Sequence, residues 1–80
     1  MPRGLDNWTY RDIADFLRDH GFSFHEERKG SHEAWINAET NAIVELNFHG
    51  NNHAYPIRTI ETMIRQSKIE KKRWRDWANK

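Results

Sequence analysis

The sequence predicts an α+β fold: a two-layer α-β-β-β-α sandwich, a three-stranded antiparallel sheet with helices on one face, plus a short C-terminal helix. Three observations predict it. Apolar residues recur at three- and four-residue spacing from Tyr10 to His20, then alternate at a period of two through three short runs. A second helical stripe begins at Pro56. Two helices flanking a three-stranded meander can cover only one of its faces, which leaves the other face wet.

Helix one is expected to begin at Thr9, an N-cap with Asp12 three residues on, in the manner of a capping box. Tyr10, Ile13, Phe16, Leu17 and His20 share one face, and Gly21 is the left-handed stop. Strand one starts at Phe22, where Phe22 and Phe24 alternate with Ser23 and His25. An Arg28-Lys29-Gly30 turn leads into strand two, about Ser31 to Asn37. After Glu39-Thr40-Asn41, strand three runs from Ala42 to Phe48, with Ala42, Val44, Leu46 and Phe48 on one face and Ile43, Glu45 and Asn47 on the other. In strand two, Ala34 and Ile36 are expected to point inward, which carries His32 to the same side at the rim where the helices stop. Trp35 is then free to stack on a base or a partner from the open face.

His49-Gly50-Asn51-Asn52-His53 reads as a loop. Pro56 opens helix two at a position that tolerates proline, and Ile57, Ile60, Met63, Ile64 and Ser67 line one face. Ile69 to Ala78 is a third short helix or a continuation of the second, with Trp74 and Trp77 among charges. Eighty residues make a single domain with a small core, about 9–69, and a basic Trp-bearing extension over 70–80.

Leu, Ile, Val and Phe number only 15 of the 80 residues, but four Trp offset the shortage because each ring buries a large apolar area. A net charge of +1 is too small for the signature of disorder. Absence of cysteine excludes disulfides and thiolate metal sites. No apolar run reaches membrane-spanning length, and Met1-Pro2-Arg3-Gly4 lacks the apolar core of a signal peptide, so a cytoplasmic protein without membrane contact is expected.

The near-zero net charge hides an asymmetry. Residues 1–40 hold five Lys/Arg against eight Asp/Glu, and residues 41–80 hold eight against four. Within 65–75, Arg65, Lys68, Lys71, Lys72, Arg73 and Arg75 face Glu70 alone. Such a patch can follow a phosphate backbone, with Lys71, Lys72 and Arg73 as candidate RNA contacts; a solvated helix face is the blander alternative. The sharper signal is Gly30-Ser31-His32, a histidine at the mouth of a strand just after two cations, Arg28 and Lys29. That arrangement suits holding a phosphate beside a proton-transfer group. The His49 and His53 pair has H-x₃-H spacing, but it lies in an Asn/Gly loop without a third ligand, so neither metal nor any other cofactor is expected.

Taken together, the helix, Gly21-Phe22, the strand, Lys29-Gly30-Ser31-His32, Trp35 three residues on, His49-Gly50 and the Pro56-started helix with Thr59-Ile60 resemble the HicA toxins. The likeness runs from about Thr9 to Ile69. Arg58 stands where that family usually has Gly, and Ser67-Lys68 replaces its common Ala-Gly. The resemblance implies a fold like that of double-stranded-RNA-binding domains. It also implies a type II toxin: a metal-independent mRNA endoribonuclease of relaxed sequence preference, inhibited by a HicB-type antitoxin and monomeric when free.

By that resemblance His32 is the catalytic histidine, acting as general base or acid. It would remove the 2′-OH proton of RNA or protonate the leaving oxygen. Arg28 and Lys29 would stabilise phosphorane charge, and Gly30 and Ser31 would offer backbone donors. Acid–base catalysis needs a second proton carrier, for which His49 and His53 are the candidates. A non-catalytic RNA-binding module of similar fold is the alternative reading. A protein-interaction role anchored on Trp74 and Trp77 is a third.

Overall fold

The structure is a computed structural model that describes residues 5–79. The expectation for Met1-Pro2-Arg3-Gly4 therefore lies outside the described residues. The order is α1 (Tyr10–Asp19), β1 (Phe22–Glu27), β2 (His32–Asn37), β3 (Ile43–Asn47), α2 (Ile57–Ser67) and α3 (Lys71–Ala78). The strands form one antiparallel sheet in the order β1-β2-β3. No helix among the described residues is long and apolar enough to cross a membrane.

Helix α1 starts where local chemistry dictates. The Asp12 amide donates to Thr9 Oγ1 at 3.2 Å, and the Thr9 amide donates to Asp12 Oδ2 at 3.0 Å, a reciprocal box that satisfies two orphan donors. Ile13, Phe16 and Leu17 are fully buried. Helix α1 ends at His20, and Gly21 follows at φ +88°, a conformation that a Cβ would strain. Helix α2 ends with Lys68 in the left-handed region, φ +62°, so α3 is a separate helix and not an extension of α2.

Ile60, Met63, Ile64 and Ser67 of α2 face the core, but Ile57 does not: it is 52% exposed in the first turn. Helix α1 lies over β1, and α2 lies along β3. Helix α3 folds back onto α1. Trp74 is wholly buried, stacked on Phe16 with ring centres 4.0 Å apart and tilted against Trp8 at 5.4 Å. Trp77 is half-buried, and its indole donates to Asp19 Oδ2 at 2.9 Å. Both tail tryptophans are thus engaged by their own chain. Among the described residues, Trp74 Nε1 is the buried side-chain nitrogen that finds no hydrogen-bond partner.

The register of the sheet turns over the expected orientation of β2. Opposed residues of antiparallel strands share a face. Trp35 pairs with Val44 and Glu33 with Leu46, while Ala34 pairs with Glu45 and Ile36 with Ile43. Val44 and Leu46 are fully buried, whereas Glu45 and Ile43 are exposed. Trp35, not Ala34 and Ile36, therefore faces the helices, and His32 lies on the open side.

The physical reason is the strict period of two: one change of phase exchanges every side chain, and the large indole gains most from burial. Trp35 is consequently unable to stack on a base from the open face. Arg18 sits 5.1 Å above its ring, Phe24 meets it edge-on at 6.1 Å, and its Nε1 donates to Glu33 Oε1 at 3.1 Å.

Candidate functional site

The β1–β2 hairpin sets the position of His32. The Arg28 amide donates to the His32 carbonyl at 2.6 Å, closing a turn made of Lys29, Gly30 and Ser31. Gly30 takes φ +76°, which a side chain would resist. On the other flank the Phe48 amide donates to the Ser31 carbonyl at 2.9 Å, and His32 pairs with Asn47. Backbone bonds thus clamp the histidine from both neighbouring strands while its side chain stays exposed.

On the open face, Glu26, Ala34 and Glu45 form one row across the three strands. Arg28 spans it, with Nε 3.3 Å from Glu26 Oε1 and Nη1 3.1 Å from Glu45 Oε2. The small Ala34 between those pairs has no exposure. Arg28 is therefore held by two carboxylates, while Lys29 at the tip of the turn makes no ion pair among the described residues. Both ion pairs are half exposed, so solvent screens them and neither contributes much stability.

Helix α2 supplies a second wall. The Glu45 amide points away from β2 and donates to Gln66 Oε1 at 3.1 Å, so α2 lies along the free edge of β3. A groove of about 270 Å³ opens there. His32, Glu45 and Asn47 come from the sheet, Thr59, Thr62 and Gln66 from α2, with the buried Met63 beneath. One imidazole, one carboxylate, two hydroxyls and two amides converge on a space that admits a small polar group.

The other sequence candidates are dispersed. His49 and His53 face each other across the 48–54 loop, ring centres 5.0 Å apart, and neither lines the groove of His32. Lys71 pairs with Glu61 and Lys72 with Asp76, each at 3.0 Å. Arg73 borders a separate hollow of about 340 Å³ at the Asn37 end of β2. Five residue steps along the strand separate that end from His32, roughly 17 Å. The buried polar groups of that hollow, Asn37 and Ser67, are satisfied within the chain.

Beneath the groove, on the helix side of the sheet, Glu33 ties α1 to β2. Tyr10 donates its hydroxyl to Glu33 Oε1 at 2.6 Å, sharing that oxygen with the Trp35 indole. Burial first, then the bond to Glu33, raises the Tyr10 phenol well above its ordinary value. Tyr55 is pushed up to about 12, again chiefly by burial, with Glu33 adding to it. Its hydroxyl donates to the Asn47 carbonyl, which anchors the 48–54 loop to the end of β3.

Of the residues that line the groove, only His32 is singled out by the motifs; Glu45, Asn47, Thr59, Thr62, Met63 and Gln66 are not. Alternation in β3 already marks Glu45 as belonging to the wet face; what sequence lacks is the docking of α2 along β3. No family model matches the chain, and neither curated proteins nor solved structures offer a match.

Proposed function

We propose that this protein is a metal-independent endoribonuclease of the HicA toxin type, cutting mRNA in the cytoplasm and silenced by a HicB-type antitoxin that covers the groove. The observation that carries the reading is the placement of His32. It stands exposed beside the Lys29-Gly30-Ser31 turn, in a groove whose other wall offers two hydroxyls and an amide but no apolar lid. RNA brings its own nucleophile, so a proton-transfer group and a few donors to the phosphate suffice for cleavage. The meander flanked by α1 and α2 also supports kinship with double-stranded-RNA-binding domains.

In this reading Lys29 supplies a cation, and Gly30 and Ser31 supply backbone donors, from the turn that leads into His32. His32→Ala should lower RNA cleavage by about 10²–10⁴-fold and relieve growth arrest, with RNA binding retained. The measurement uses purified protein free of antitoxin, in EDTA. Cleavage at the wild-type rate by a folded His32→Ala variant would remove the catalytic role. A clean wild type that binds RNA and cuts none would make the RNA-binding module the correct reading.

A further inference from the structure

We infer that Glu45 is a second catalytic residue of the His32 groove, the general base that removes the 2′-OH proton of RNA while His32 serves as the acid. The inference rests on the endoribonuclease reading above. It answers a deficit in that reading, because the histidines expected to supply the second proton carrier do not line the groove. Glu45 does. It shares the open face with His32, one strand away and two pairs along the ladder.

Position assigns the roles. Glu45 lines the groove half exposed and ion-paired with Arg28 at 3.1 Å, which holds its carboxylate oxygens where they can accept the 2′-OH proton. The imidazole of His32 is then the group that donates. Arg28, ion-paired with the groove residue Glu45, brings a guanidinium to the phosphorane oxygens, and Thr59 and Thr62 bring neutral donors from the opposite wall.

The step balances. Glu45 accepts the 2′-OH proton as O2′ attacks phosphorus and the P–O2′ bond forms. The P–O5′ bond breaks, its electron pair stays on O5′, and O5′ takes the proton from His32. The products are a 2′,3′-cyclic phosphate and a 5′-hydroxyl, and exchange with water resets both side chains.

Two substrates separate the roles: a short RNA, and a nucleoside 3′-aryl phosphate whose phenolate leaves without protonation. With the full chain in EDTA, Glu45→Gln should cut both substrates about 10²-fold or more slowly. His32→Ala should be slow on RNA yet recover most of its rate on the aryl ester. Affinity for a 2′-deoxy RNA analogue should stay within about twofold in both variants. Circular dichroism checks the fold, and Glu45→Asp, which keeps a carboxylate, should retain more activity than Glu45→Gln.

Cleavage of RNA by Glu45→Gln at the wild-type rate, with His32→Ala inactive, overturns the role of Glu45 and leaves the endoribonuclease reading standing. Recovery of Glu45→Gln instead of His32→Ala on the aryl ester also overturns the assignment, since the base would then be His32. A wild type that cuts neither substrate brings down both.

Discussion

The two faces of the sheet divide the labour of this small protein. On the helix side Trp35, Val44 and Leu46 are buried, and Trp8, Phe16 and Trp74 continue the apolar layer outward. On the open side the same strands present Glu26, Arg28, His32 and Glu45, all exposed. The faces are interleaved residue by residue: Glu33 points in to bond Tyr10 and Trp35, and its neighbour His32 points out to the groove. Strand alternation thus allows an exposed polar face to sit on a core without sharing side chains with it. Substitutions on one side should cost stability, and those on the other should cost activity.

The largest stability effect tests the helix side. Trp74→Ala should destabilise the chain by about 3–5 kcal/mol in chemical denaturation, because it removes a fully buried ring stacked on Phe16. Trp74→Phe should cost clearly less, since it keeps an aromatic ring there and discards a buried donor without a partner. If Trp74→Ala unfolds at the wild-type denaturant midpoint, the tail is not part of the core and the comparison collapses.

The tyrosine seam between the faces should show itself in alkali. Both phenols are raised in the fold, so the unfolded chain gives up its protons first. Their contribution is fully present below about pH 10, the ordinary tyrosine value, and is lost as pH climbs through about 12 for Tyr55. Denaturation midpoints measured across that window should fall with pH. Tyr55→Phe should flatten the fall, and an unchanged slope would show that Tyr55 titrates alike in both states.

A smaller effect is expected from the basic tail. Lys71 and Lys72 are already paired with carboxylates, and Arg73 sits at the far end of β2 from His32. Replacing all three with Ala should flatten the salt dependence of RNA binding by about 0.7 in log–log slope for each phosphate left without its cation. An identical slope would identify α3 as a solvated face that serves packing alone. The smallest effect belongs to the open face: His32→Ala should change stability by no more than about 0.5 kcal/mol. A destabilisation comparable to that of Trp74→Ala would show that His32 supports the fold, and the division between faces would fail.

Much of this architecture was legible because its causes are local. The Thr9–Asp12 box, the Gly21 stop, the Glu39-Thr40-Asn41 turn and the alternation of Val44 and Leu46 against Glu45 each depend on residues within one or two turns of chain. The turn that presents His32 was readable for the same reason, since Gly30 occupies the left-handed position that the hairpin requires.

The orientation of β2 was not readable, because both of its alternating sets contain apolar members: Ala34 and Ile36 in one, Trp35 in the other. Pairing with β3 decided between them, and that pairing depends on contacts the strand's own residues do not encode. The same holds for the contact of Trp74, whose ring fills the space beside Phe16 of α1, a neighbour that the residues around Trp74 do not encode.

By itself, then, the sequence determined α1, the three strands and α2, their order, the wet side of β3 and the motif at the mouth of β2, because caps, turns and periodicity act over a few residues. Tertiary structure alone decided which side of the sheet His32 joins, which acidic residue shares its groove, and that the histidines of the 48–54 loop stand apart from it. Those outcomes follow from the register of β2 on β3 and the docking of α2 along the edge of β3. Burial of large rings selects both, and it is an energy summed over the whole chain, not over any one segment of it.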